Sequence, residues 1–371
     1  MVMGFWNTKR VGLAVLAIVA AACGSNGADD PAAPTTRPPI TTTIPPTTTT
    51  TTAAPAASAT TTTAVAPSTT APPTTIPEQL PESIGTGDDP QVAAVPAGAT
   101  RIFYAGVDEA TSLRRNVLGD PQVLYYDIYA PAEPANGLTA LYFHSGAIDT
   151  GYANSDEAIA ACRQMSSLGA WCVSIEYRRG FAGFEQTPLE AVEVTPAQAD
   201  RFRDAYTDAR NDAVEAWFHL DGQAESIGLP RRYVLVGLEA GAQIASDVAL
   251  ATGGLPYDIA GAIISSGTHR TARGLSGVPE FPVVLQTGLF DTVAPPYSGH
   301  IYLDTDMPQL VGARSLYNQL AAAGGTVRLY VNAQQGHGPG AYAAGSGEIA
   351  YYADAMQLFV APPSEPNAAF E

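Results

Sequence analysis

From Ala28 to Pro81 the chain is built almost wholly of Thr, Pro, Ala and Ser, with runs such as Thr47 to Thr52. A stretch so poor in large apolar side chains cannot bury enough surface to offset the entropy of ordering it. The folded core must therefore come from the residues beyond Pro81. Proline biases such a segment toward polyproline II, about 3.1 Å per residue where that form persists, so full extension spans at most ~150 Å. It reads as a tether, in a composition that is often O-glycosylated.

The residues before the tether predict an address. Lys9 and Arg10 lead into an apolar run, Val11 to Ala22, which ends at Cys23. The run is about a dozen residues, short of the roughly 20 a spanning helix needs, so 1–22 reads as a secretory signal peptide. Ala20-Ala21-Ala22-Cys23 resembles a bacterial lipobox, although Ala20 stands where leucine is usual. That resemblance implies lipidation of Cys23, with 23–27 as the lipidated amino terminus. The expectation is an exported chain held on the extracytoplasmic face of the cell membrane by its lipid; an ordinary signal peptide with an incidental cysteine is the alternative. Cys162 and Cys172 remain as an even pair. An oxidising compartment would permit them to bridge, and ten residues suit a helix running back to the next strand. Two buried free thiols fit the same residues.

The formal net charge is −18, from 36 acidic and 18 basic residues, and Lys9 is the only lysine. Such a surface repels phosphate backbones and argues against nucleic acid as a partner. The five histidines, His144, His219, His269, His300 and His337, form no close pair in sequence. There is no phosphate-binding loop either, so neither a metal nor a cofactor is expected.

From about Val92 to residue 371 apolar runs alternate with amphipathic segments. Strands are predicted over Val123–Tyr129, Leu138–Phe143, Trp171–Tyr177, Tyr233–Leu238, Ile259–Ser265, Pro282–Thr287 and Val327–Val331. Helices are predicted over Ala158–Leu168, Pro196–His219, from Ala240, over Ala313–Ala323 and near Glu348–Phe359. In the second of these, Phe202, Tyr206, Ala209, Ala213, Ala216 and Trp217 recur at near-helical spacing. This alternation means an α/β domain with a mostly parallel sheet covered on both faces. Tyrosines such as Tyr342 and Tyr351-Tyr352 read as packing rather than a carbohydrate platform.

The strongest local signal is Val234-Leu235-Val236-Gly237-Leu238-Glu239-Ala240-Gly241-Ala242-Gln243. An apolar strand runs into a small-residue helix start, with glycines two residues either side of Glu239. That frame suits a sharp turn whose central residue is strained and whose neighbours cannot carry bulk. The frame G-x-S-x-G is intact, but glutamate replaces the serine. Tyr126-Asp127-Ile128-Tyr129-Ala130-Pro131, His144-Ser145-Gly146-Ala147 and Ser174-Ile175-Glu176-Tyr177-Arg178 come before it. Gly288-Leu289-Phe290-Asp291-Thr292-Val293-Ala294-Pro295 and Gly336-His337-Gly338 come after it. In that order these segments resemble the esterase/lipase branch of the α/β-hydrolase family, from roughly Tyr125 to the C-terminal helix. The resemblance implies Asp291 and His337 as acid and base beside the elbow residue, Glu239. It also implies Gly146, Ala147 and Ala240 as oxyanion-hole amides. Ser145, in place of a glycine, adds a side chain to that loop.

Glu239 decides what this apparatus can do. A carboxylate attacking an ester would form an anhydride, a poor route compared with a serine acyl-enzyme. Three readings stand: an active carboxylic-ester hydrolase, a catalytically silent member retaining a pocket for a small or cell-envelope ester-like ligand, and an alkyl-ester-forming hydrolase with Glu239 as nucleophile. Relatives of the third kind use aspartate, and the extra methylene displaces the oxygens on the ~1 Å scale that matters. In the silent reading the carboxylate enters the amide-lined hole and pairs with His337. Ser265 and Ser266 end another apolar run without an elbow frame, so neither replaces the nucleophile. About 50 residues separate Glu239 from Asp291, too few for a large lid. A cap would come from before about Gln122 or from Gly180 to Val194, both loop-like.

Overall fold

The computed structural model describes residues 94–370 except 133, 182–193, 252–256, 268, 271–274, 276, 302–306, 334–335, 338–349 and 362–367. The signal segment, Cys23, the tether, Gly338, Tyr342 and most of Gly180–Val194 lie outside the described residues, and the described residues all belong to one unit.

Among the described residues, nine strands form one sheet. In chain order they are β1 (Ala99–Phe103), β2 (Tyr125–Tyr129), β3 (Thr139–Phe143), β4 (Trp171–Ile175), β5 (Arg232–Leu238), β6 (Asp258–Ser265), β7 (Val283–Gly288), β8 (Val327–Asn332) and β9 (Ala368–Phe370). Their spatial order is β1-β2-β4-β3-β5-β6-β7-β8-β9. Strand β2 runs antiparallel to both neighbours, and every other pairing in the sheet is parallel. A mostly parallel sheet with an antiparallel second strand and β3 and β4 exchanged in space is the α/β-hydrolase arrangement.

The central strands carry near-continuous apolar runs because both their faces are covered. Side chains alternate between two cores as the pleat requires. Leu141, Leu235, Ala262 and Leu285 face one of them, shared with α2 (Pro196–Ile227), α3 (Ala240–Ser246) and α4 (Ala313–Ala322). Ala140, Val234, Val236, Ile263 and Val284 face the other, shared with α1 (Asp156–Ser167) and α5 (Ala350–Val360). Burying a side chain the size of Leu or Phe stabilises by about 1.5–3 kcal/mol, so each helix is held chiefly by its packed stripe. None of the described helices is long and apolar enough to cross a membrane.

Several boundaries differ from expectation, each for a local reason. Helix α2 does not stop at His219 but continues two turns to Ile227, where Gly228 in the left-handed region (φ 80°) caps it. Gly222 inside it meets nothing within 4 Å of a would-be Cβ, so it is a weak spot rather than a break. Its start is a capping box: Thr195 Oγ1 accepts from Gln198 N, and Gln198 Oε1 accepts from Thr195 N. The run predicted as Val123–Tyr129 is two strands, Pro121–Val123 and β2, parted at Leu124. Leu124 turns its backbone to Ser112 O and Tyr104 N instead of the sheet. The region before Gln122 is not loop alone: β1 pairs along β2, and Leu113–Arg115 forms a hairpin with Pro121–Val123.

Helix α1 is tied to β4 by a disulfide between Cys162 and Cys172, whose Cα atoms are 5.2 Å apart. The even pair therefore bridges, and α1 is fixed covalently to the sheet beside the loop after β3.

Candidate functional site

Four described residues other than glycine have positive φ: Ala147 (56°), Ile148 (62°), Glu239 (53°) and Ser266 (49°). They come after the C-terminal ends of β3, β5 and β6, three strands adjacent in the sheet. Holding an L-residue there costs on the order of 1–3 kcal/mol, and such strain gathers at functional sites. Ligand crevices of open α/β sheets also lie beyond the carboxyl ends of the strands. The strain marks one place.

At its centre is the elbow between β5 and α3. Glu239 has φ 53° and ψ −113°. A Cβ on Gly237 would lie 2.1 Å from Gly241 O, and one on Gly241 would lie 2.0 Å from Phe143 O. Both glycines are required by space, as the frame predicts. A third, Gly267, closes the elbow from the next strand: its Cβ would meet Glu239 O at 2.3 Å. The sequence offered no sign of this contact, because it joins residues beyond the ends of two separate strands. The elbow backbone is braced by Glu239 N donating to Ser265 O at 2.9 Å.

Beyond β7, Asp291 is buried, and its Oδ1 accepts from Val293 N at 3.0 Å and Ala294 N at 2.7 Å. His337, beyond β8, donates from Nδ1 to Asp291 at 3.0 Å from either carboxylate oxygen. Its Nε2 then faces Glu239, 3.7 Å from Oε1, an ion-pair distance rather than a hydrogen bond. Burial works to lower the His337 pKa. The Asp291 hydrogen bond and charge, with the charge of Glu239, outweigh it, and the net shift is upward. The structure thus brings together the three residues implied as nucleophile, acid and base.

The loop residues implied as oxyanion donors, Gly146 and Ala147, come after β3. Gly146 N donates to Glu239 Oε2 at 3.4 Å, a long bond that places this oxygen at the loop. Gly146 takes φ 111°, and its would-be Cβ lies 2.0 Å from Thr150 O. Ala147 is next in the loop, and Ala240 is the first residue of α3, directly after the elbow. Ser145 turns its hydroxyl toward α1. Its Oγ donates to Glu157 Oε2, while Tyr142 OH donates to Glu157 Oε1 at 2.6 Å. Glu157, on α1, is a site residue that sequence reasoning missed; an acid in a first helical turn reads as a routine helix-dipole partner.

His144 is a packing residue. It is fully buried, stacks on Tyr177 with ring centroids 4.0 Å apart, and bonds through Nδ1 to Ser145 O at 2.8 Å. Burial, assisted by the Arg179 charge and only partly offset by that bond, pushes its pKa down to about 3. It is neutral at ordinary pH. Ser265 and Ser266 are buried, and both donate to Gln286 Oε1, at 2.7 and 3.1 Å; Tyr351 OH lies 2.7 Å from Ser265 Oγ. That arrangement braces the floor of the elbow.

No protein-family model and no curated protein matches the chain. Among solved structures it is similar to the apo form of Thermogutta terrifontis esterase 2, with 17% identity and a TM-score of 0.45 over 73% of this chain and 98% of that one. The native structure of that thermophilic Planctomycetes esterase gives 17% and 0.47 over 72% and 96%. A bacterial heroin esterase gives 17% and 0.45 over 71% and 84%. Those proteins are esterases; the α/β-hydrolase fold of this chain is read from its own strand order and directions.

Proposed function

We propose that this chain is a non-serine α/β-hydrolase-fold protein whose own elbow carboxylate occupies the site where a serine enzyme would bind an oxyanion. Ordinary serine esterase chemistry is then switched off, and the surroundings serve to bind a small or cell-envelope ester-like ligand. The observation that supports this best is the double engagement of Glu239, with Oε2 toward Gly146 N and Oε1 toward the His337 ring. A negative oxygen already sits where negative charge would otherwise develop, so there is no transition-state charge left for the loop amide to stabilise. The amino-terminal pattern adds export and a lipid anchor at Cys23, with the Thr/Pro tether as spacer. Metabolic palmitate labelling that is lost in Cys23→Ala tests the anchor.

The activity is tested with p-nitrophenyl acetate turnover and fluorophosphonate labelling, on the wild type beside Glu239→Ser. The expected result is neither in the wild type and both in the variant. Wild-type turnover with labelling would refute the silent reading. The alternative, Glu239 as an alkyl-ester-forming nucleophile, draws on the His337 contact at one of its oxygens. During demonstrated turnover in heavy-oxygen water, absence of label in the Glu239 peptide excludes it.

A further inference from the structure

The loop after β3 is held between two carboxylates. Ser145 Oγ donates to Glu157 Oε2, and the next residue, Gly146, donates from its amide to Glu239 Oε2. We propose that Glu157 is a positioning residue for the amide-lined hole: through Ser145 it holds the 145–148 loop so that Gly146 N faces the elbow carboxylate. This rests on the reading that Glu239 occupies that hole.

The loop needs holding. Gly146, Ala147 and Ile148 take φ values of 111°, 56° and 62° in succession, and Ile148 is β-branched and fully buried. For such a residue a positive φ is an outlier that relaxes unless its surroundings forbid it. Its far end is pinned by Ile148 O, which accepts from Gly180 N at 2.9 Å and Phe181 N at 3.1 Å. Its middle is a turn in which Asp149 N and Thr150 N both donate to Gly146 O at 2.8 Å. Its near end has the Ser145–Glu157 bond, and Glu157 is itself held. Tyr142, buried on β3, donates to its other oxygen at 2.6 Å. Ser155 caps the helix, its Oγ accepting from Ala158 N at 3.2 Å, and the carboxylate sits in the first turn, where the helix dipole favours it. Five residues on, Cys162 locks the same helix to β4. A chain of rigid links therefore runs from the sheet through α1 to the loop.

The electrostatics agree with the geometry. Burial raises the Glu157 carboxyl pKa, the Ser145 and Tyr142 hydrogen bonds work against it, and the charge of Glu239 adds to the rise. Ser145 and Glu239 thus act on this one group in opposite senses.

The test uses the full chain with carbon-13-labelled glutamate, and the variants Glu157→Gln, Ser145→Ala and Glu239→Gln. In the first two, amide exchange at Gly146 should quicken about 10-fold or more relative to core amides of β5 and β6. The Glu157 Cδ titration should move up in Ser145→Ala and down in Glu239→Gln, each by at least about half a pH unit. Uniform acceleration of all amides, or a Glu157 titration that Ser145→Ala leaves in place, would overturn the proposal, leaving Glu157 a fold residue only. If Glu157→Gln fails to fold, Ser145→Ala still decides, because it removes one hydroxyl from a partly buried loop position. The Ser145→Ala shift does not depend on what occupies the hole. Fluorophosphonate labelling of the wild type would therefore end the silent reading without moving it.

Discussion

Replacing Glu239 by glutamine keeps the shape of the elbow side chain and removes its charge from the His337 ring. At 3.7 Å, two unit charges attract by about 4–5 kcal/mol at an effective dielectric of ~20 and by about 1 kcal/mol in water. Both side chains are about a quarter exposed, 22% for His337 and 24% for Glu239, so solvent screening brings the figure near the lower end. A contribution of roughly 1–2 kcal/mol corresponds to about one pKa unit. Glu239→Gln should therefore lower the His337 pKa by about one unit while leaving the Asp291 hydrogen bond in place, as read from the ring carbon shifts in an NMR titration. The linkage has a definite sign. The folded-state pKa of His337 is raised, so its charged form adds stability that is fully present below the unfolded value of about 6.5 and is lost as pH rises through the folded value. The stability advantage of wild type over Glu239→Gln should shrink across that window. A His337 pKa that is unmoved or raised in the variant would refute the ion pair, and the case for an occupied hole with it.

Two further changes probe the frame around the site. Gly241→Ala places a Cβ about 2.0 Å from Phe143 O and 2.5 Å from His144 O, both backbone atoms that cannot swing aside. A loss above about 4 kcal/mol, or failure to fold, is expected in urea titration; a loss below ~1 kcal/mol would mean the elbow is not built this tightly. Opening the Cys162–Cys172 bridge by Cys162→Ala with Cys172→Ala releases a loop of ten residues' separation, worth about 3 kcal/mol in the chain-entropy account. The expected drop in the urea midpoint should come with faster exchange in α1, and equal midpoints would contradict it.

The local signals in this chain were legible because they depend on neighbours in sequence. Gly237 and Gly241 flank Glu239 at fixed distance, and a turn that tight has no room for a side chain at either position. The apolar runs of β3, β5, β6 and β7 announce a doubly covered sheet, since strands buried on both faces carry apolar residues at most positions. The order of Glu239, Asp291 and His337, each beyond the end of a separate strand, is likewise a property of the sequence. The early strand β1 was not legible, because the pattern of its residues, Ala99-Thr100-Arg101-Ile102-Phe103, is set by its partner. Arg101 there is buried against Asp127 of β2, with hydrogen bonds of 2.8 Å from Nε and Nη2. An arginine in a short run reads as exposed until its carboxylate partner is seen.

By itself, then, the sequence determined that the Thr/Pro-rich stretch carries too few large apolar residues to supply a core, that the remainder is a mostly parallel α/β domain, and that Glu239 stands at the centre of a glycine-flanked elbow. Composition, strand period and glycine spacing are properties of the chain, and they constrain the backbone before any distant contact forms. Where the carboxylate points was decided only by tertiary structure. Gly146, Glu157, Glu239 and His337 arrive from four separate segments, and no spacing rule relates the hydroxyl of Ser145 to a carboxylate twelve residues on in another element. Whether the Ser145 hydroxyl would turn toward the elbow or away from it depended on Glu157 offering an acceptor on α1, and distances of that kind exist only once the sheet has brought its strand ends together.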